Sequence, residues 1–334
     1  MRNIYFSIIV PAFNLENYIH RSIISILNQC FQDFELIIVN DASIDKTADI
    51  IYEFSKQNPK ITVLNHSKNE SQHIARMNGV AAANGKYTLF LDGDDYFTKD
   101  AFSILYDIIQ KNPDYDIYEY GYIRQPSGVI YFPFYLEGDR FSAFFDKENA
   151  PTPTMWNKVY NTELLKKAFA VMERAYINNG EDLYEAIVVA FFAKKIMETR
   201  KIITNYQIGA GISTAYRDYD KTIELLESTR TVINLIGVFL QKNNLNISLD
   251  NLIIRFLKHI INTYINSQKN KDDKKKLFLM LPTFFGDRIM LEYLFQIEES
   301  HKKDIEAIIC SKSYRIGQSI LYPLRKLKRL LGKS

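Results

Sequence analysis

Strand and helix signals alternate through the first part of the chain, and this alternation constrains the fold more than any other feature of its 334 residues. Phe6-Ser7-Ile8-Ile9-Val10 is a short apolar run stopped by Pro11, the pattern of a strand buried on both faces. Tyr18, Ile19, Ile23, Ile26 and Leu27 then recur at helical spacing. Glu35 to Val39 reads as a second buried strand. Ser43 is placed to cap a helix whose inner face holds Ala48, Ile51 and Phe54. Ile61 to Leu64, a helix over Ala75 to Ala83, and Tyr87 to Leu91 continue the series. Such a series implies an α/β fold, a mostly parallel sheet flanked by helices.

The pattern changes after Lys111. Asp116 to Tyr122 and Val129 to Tyr135 read as strands joined at Pro126-Ser127-Gly128, and Pro133 marks the second as an edge. Helical periodicity dominates from Asn161. Tyr216 to Lys221 is polar and reads as a linker. Two amphipathic segments follow, Thr222 to Gln241 and Leu249 to Asn266, and then a charged loop, Lys269 to Lys276. A boundary at residue 215 therefore separates an α/β domain (1–215) from a helical extension (216–334).

In an open parallel sheet, ligands bind beyond the carboxyl ends of the strands. The polar clusters fall there: Pro11-Ala12-Phe13-Asn14, Asn40-Asp41 and Asp92-Gly93-Asp94-Asp95. Carboxylates gathered on one edge repel one another unless a cation or a proton intervenes. Hard oxygen donors suit Mg²⁺ or Mn²⁺, with phosphate oxygens completing the shell. Gly93 is placed to let the backbone approach a ligand closely. Competing motifs fail. Gly209-Ala210-Gly211 lacks the third glycine of a dinucleotide fingerprint, having Thr214 there, and Gly79 to Gly85-Lys86 has five intervening residues where a phosphate loop has four. Two cysteines, Cys30 and Cys310, are too few for a disulfide framework and suggest a reducing compartment.

The motifs together resemble family 2 glycosyltransferases. Ser7 to Asn14, and Phe34 to Ser43 with Asp45 and Thr47, look like that family's opening. Gly85-Lys86-Tyr87 leading into Phe90-Leu91-Asp92-Gly93-Asp94-Asp95 resembles its aspartate motif, and Trp156 to Tyr160 and Gly180-Glu181-Asp182 match features of bacterial members. The resemblance covers about residues 4 to 200. It implies a GT-A (Rossmann-like) fold that binds a UDP-sugar and transfers the sugar with inversion. Pro11, Ala12, Phe13, Asn14 and Asp41 would contact the uridine, Asp41 accepting from the ring NH. Asp92 and Gly93 would sit by the ribose, and Asp94 would hold Mn²⁺ or Mg²⁺ on the diphosphate. Asp182, or else Glu181, would take the proton of the acceptor hydroxyl. Two positions depart from the family pattern: Asn40 precedes Asp41 where Asp is common, and Met77 follows Arg76 where Asn is usual. Arg76 is then either a nucleotide contact or a structural ion pair. Trp156, Asn157 and Lys158 are either acceptor contacts or structural anchors.

Charge sharpens the expected setting. Lys and Arg exceed Asp and Glu by only 3, yet seven of the 42 basic residues and none of the 39 acidic ones lie between Ala307 and Ser334. Ile316, Ile320, Leu324, Leu327 and Leu331 fall on one helical face, with Arg325, Lys326, Lys328 and Arg329 mostly opposite. That pattern fits a helix on an anionic membrane surface, although Pro323 interrupts it. No run is long enough to span a bilayer and no nucleic-acid motif accompanies the charge. The expectation is a cytoplasmic protein, peripheral on the inner face of the cell membrane, acting on a glycan or lipid-linked saccharide in lipopolysaccharide or capsule synthesis. The alternative is a membrane-associated binder of sugar nucleotides without turnover.

Overall fold

The structure, a computed structural model, describes residues 4–133, 138–146, 150–208, 219–265, 270–286, 289–290 and 293. It divides into two compact units, Met1–Phe144 with Asn149–Gly211, and Phe145–Glu148 with Ile212–Ser334.

In the first unit the expected alternation is present: β1 (Phe6–Ala12), α1 (Ile19–Leu27), β2 (Phe34–Asn40), α2 (Thr47–Gln57), β3 (Ile61–Asn65), α3 (Gln72–Ala82) and β4 (Tyr87–Phe90). There follow β5 (Tyr96–Phe97), α4 (Ala101–Lys111), β6 (Ile117–Gln125), β7 (Val129–Tyr131), α5 (Arg140–Ala143), β8 (Lys158–Asn161), α6 (Thr162–Ala170), α7 (Glu181–Phe192) and β9 (Ile196–Gln207). The sheet runs β3-β2-β1-β4-β8-β6-β9-β5, with β7 on β6. It is parallel from β3 to β4. Beyond β4, β8 pairs antiparallel with both β4 and β6, and β9 is parallel to β6.

Every residue of β1 is buried, as its apolar run requires. Phe6, Ile8 and Val10 join Leu36 and Ile38 of β2 in a core completed by Ile19, Ile23 and Ile26 of α1 and Phe102, Leu105 and Ile109 of α4. Ile9 points the other way, toward α3. A side chain at Gly79 would come within 2.4 Å of its Cγ2. Helices on both faces thus leave the carboxyl ends of β1, β2 and β4 as the open edge.

Several expectations are corrected here. Pro11 does not stop β1, which continues to Ala12 opposite Asn40. The residue at position 11 turns its backbone nitrogen toward β4, which has already ended, so the missing N–H costs no ladder bond. Ser43 does not cap α2. That helix begins at Thr47, whose N–H donates to Asp45 Oδ1 at 2.9 Å. Among the described residues of the run to Tyr135, Val129–Tyr131 forms β7 and Pro133 lies past its end; Phe134 and Tyr135 lie outside the described residues. The 12-residue β9 replaces the expected helical stretch. Its pairing with β6 jumps from Glu119↔Glu198 to Gly121↔Ile202, and a bulge of this kind destroys the alternation that marks a strand.

The second unit is helical, as expected. It contains α8 (Tyr219–Lys242), α9 (Asp250–Ile260) running into a π-helical turn (Ile261–Ile265), and α10 (Lys271–Phe285). Leu225, Leu226, Leu257, Ile261, Leu277 and Leu281 form its core. Tyr219 to Lys221 open α8 and are not a linker. The charged run at Lys271 to Lys276 opens α10 and is not a loop. Asn270 caps it by accepting from Asp272 N at 2.9 Å, and Asp272 and Asp273 in the first turn suit the helix dipole. No helix among the described residues is long and apolar enough to cross a membrane. The basic segment from Ala307 lies outside the described residues.

Candidate active site

The aspartate motif emerges from β4 as a tight turn, closed by Asp95 N donating to Asp92 O at 2.9 Å. A Cβ at Gly93 would meet Leu15 Cδ1 at 2.5 Å and Pro11 O at 3.3 Å, so the turn packs closely on the end of β1 and the residues after it. Asp95 is buried, accepts from Gln207 N at 2.7 Å through Oδ1, and leaves Oδ2 with no hydrogen-bond partner. Arg21 donates to the backbone oxygen of Asp94 at 2.9 Å and lies over the Tyr96 ring at 4.2 Å.

Arg76 on α3 is wholly buried, and its guanidinium gathers the carboxylates of two elements. It pairs with Asp92 at 3.3 Å, with Glu185 at 2.9 Å, with Glu181 at 4.0 Å, and closely with Asp182. Arg76 thus makes the ion pairs of one of its two readings, and it is not among the residues that line the cleft. Gln72 Nε2 supports Asp92 from the same helix at 2.8 Å. Sequence reasoning missed Glu185 and its second partner His73, whose Nδ1 lies 2.8 Å from Glu185 Oε1. The signal was there: Glu181, Asp182 and Glu185 share one face of α7, as His73 and Arg76 share one face of α3.

Burial pushes Asp92 up to about 7, with Arg76 pulling it down and Asp182 and Asp94 adding repulsion. Burial likewise raises Asp94, and it raises Asp95 well above the usual carboxylate range with help from Asp94 and Asp92. Asp182 is raised by burial against the pull of Arg76. Repelling carboxylates, one with an unpartnered buried oxygen, form a place that favours a cation. Among the described residues no three His, Cys, Asp or Glu side chains could hold a metal unaided. The residues therefore fit a hard cation held by one or two carboxylates together with phosphate oxygens, and not a self-sufficient protein site.

Above this floor lies a cleft of about 410 Å³ lined by Asp92, Asp182, Thr154 and an aromatic wall of Trp156, Tyr206, Tyr122 and Tyr131, with Arg124. Trp156 stacks on Tyr206 at 5.1 Å and meets Tyr122 edge-on at 4.7 Å. The three tyrosines and Arg124 were not anticipated: Tyr206 was lost with β9, and Tyr122, Arg124 and Tyr131 stand on β6 and β7, where nothing in the sequence signals that they face a cleft. Asp182 lines the cleft, and Glu181 is not among its lining residues. Asn157 and Lys158 are structural. Lys158 Nζ bonds Asn157 Oδ1 at 3.0 Å and Glu119 at 3.2 Å, tying β8 to β6.

The uridine candidates lie at the ends of β1 and β2. Pro11 and Ala12 are buried strand residues. Phe13 is 39% exposed. Asn14, with φ 54°, accepts from Ile44 N at 2.9 Å. Asp41 is buried and accepts from His66, Glu70 N and Ser71 N.

Residues 7–169 match the glycosyl transferase family 2 profile, and the match contains β1 to β4, the aspartate turn, Arg76 and Trp156. Residues 7–169 of the chain belong to glycosyl transferase family 2. Among its relatives is EpsH of Bacillus subtilis (strain 168), provisionally named a glycosyltransferase. It is 26% identical over 249 residues, 71% of this chain and 70% of that one. TuaG of the same organism, provisionally named for teichuronic acid biosynthesis, is 37% identical over 94 residues. That match spans 28% of this glycosyltransferase and only 37% of TuaG. The crystal structure of S. aureus TarS 1–349 in complex with UDP-GlcNAc matches with a TM-score of 0.60 at 20% identity, over 85% of this chain and 82% of that one. The GT-A fold expected of the glycosyltransferase is thus present.

Burial, then repulsion from Asp182, pushes Glu181 up to about 8 from an ordinary 4.5. The folded protein keeps this proton where the unfolded chain has lost it. The group's contribution to stability is therefore full below pH 4.5 and is lost as the pH rises to about 8. Glu181→Gln removes that titration. In urea unfolding its stability relative to the parent should rise steadily from about pH 5 to pH 8. Parallel profiles would show that Glu181 titrates as an ordinary glutamate.

Proposed function

We propose that this glycosyltransferase moves a sugar, with inversion, from a UDP-sugar to a hydroxyl of a glycan or lipid-linked saccharide in surface-polysaccharide synthesis. The observation that carries the reading is the cleft itself. Asp92 and Asp182, from two different elements, face one space beside an aromatic wall. The UDP-GlcNAc held by TarS, on the same fold, supports a uridine nucleotide as donor.

Asp92 would take the ribose side, and Asp94 the diphosphate. A Mg²⁺ or Mn²⁺ ion at Asp94 would offset the charge that develops on the leaving UDP. Trp156, braced by Tyr206, offers ring surface to a sugar. Asp182 takes the proton of the acceptor hydroxyl as its oxygen forms a bond to the anomeric carbon. The bond from that carbon to the diphosphate oxygen breaks on the opposite face, which gives inversion. The Arg76 contact holds the Asp182 carboxylate in place for this step. We assign the basic segment from Ile316 to an anionic surface at the inner face of the membrane, where a lipid-linked acceptor would lie.

The test is metal-dependent nucleotide release from a panel of sugar nucleotides. Asp94→Asn should abolish the dependence on divalent cation together with the release. Asp182→Asn should lower kcat on the order of 10²–10⁴-fold while UDP affinity stays at the parent value. Parental turnover in Asp182→Asn would remove the base assignment.

A further inference from the structure

The Asp41 carboxylate is held by more than its own loop. Glu70 N donates to Oδ1 at 2.8 Å and Ser71 N to Oδ2 at 2.9 Å. Ser71 adopts φ 84°, a left-handed backbone that a serine rarely takes, and its N–H is spent on this carboxylate. The third donor is His66 Nδ1, 2.6 Å from Oδ1. Its protonation follows from its neighbours. Arg174 Nη1 donates to Asn78 Oδ1 at 3.1 Å, and a guanidinium can only donate, so Asn78 presents its NH₂ on the other side. That NH₂ lies 2.7 Å from His66 Nε2, which must therefore accept. The ring proton is on Nδ1 and points at Asp41. Oδ1 then carries two donors and Oδ2 one, which leaves one lone pair on Oδ2 without a protein donor.

We propose that His66, oriented by Asn78 and Arg174, is a positioning residue that fixes Asp41 for uracil over cytosine; this rests on the reading that Asp41 accepts from the uracil ring. Uracil presents a ring N–H at the position where cytosine presents a lone pair. A carboxylate locked as an acceptor takes the first and repels the second. With the His66 donor removed, Oδ1 is freed and the carboxylate can turn, which relaxes the choice.

The experiment is calorimetric titration of the full chain and its variants with UDP and with CDP. The parent should prefer UDP. His66→Ala should cut that preference by about tenfold or more, the range set by a hydrogen bond to a charged group. His66→Asn, whose amide can still donate to Asp41, should stay within roughly threefold of the parent preference. A His66→Ala protein that keeps the parent preference, or loses UDP and CDP affinity equally, overturns the proposal. Asp41→Asn separates the two layers. If it abolishes the preference while His66→Ala does not, only the role of His66 fails. If it too leaves the preference unchanged, Asp41 does not read the base and both fall.

Discussion

A single buried guanidinium makes the rest of the site possible. The aspartate turn after β4 and the first turn of α7 bring Asp92, Glu181, Asp182 and Glu185 together around Arg76. Without a cation these charges would repel at short range in a medium of low dielectric, and neither element could close on the other. With it, each carboxylate trades some of its lost hydration for a charged partner. The pull of Arg76 has a limit. Asp92 and Asp182, which line the cleft, stay raised by burial in spite of it.

The same arrangement explains how two distant stretches form one cleft. α3 packs on β1 and β2 and carries Arg76, while α7 packs on α6 and meets α3. Gly79 is what lets α3, the helix that carries Arg76, lie close against Ile9. The aromatic wall is built separately, on β6, β7 and β9, and Trp156 joins it to β8.

Much of this was legible in the sequence, and the failures have physical causes. β1 to β4 could be read because buried parallel strands are unbroken apolar runs. Asp92 could be placed at the cleft because carboxylates in a strand-end turn have few structural uses. β9 could not, because its bulge places Arg200 and Lys201 out of register and breaks the alternation. Tyr206 was lost with that strand. Glu185 escaped because a charge within an apolar helix gains meaning only from a partner 109 residues away. Gly93 gained a second reason from the structure, since a Cβ there would press on Leu15.

The dependence on Arg76 is open to direct measurement by urea unfolding of Arg76→Leu against the parent at neutral pH. Removing one member of a buried charge cluster strands the others, so the account predicts a loss of about 3–5 kcal/mol. A variant within about 0.5 kcal/mol of the parent, the range of an inconsequential surface change, would contradict it.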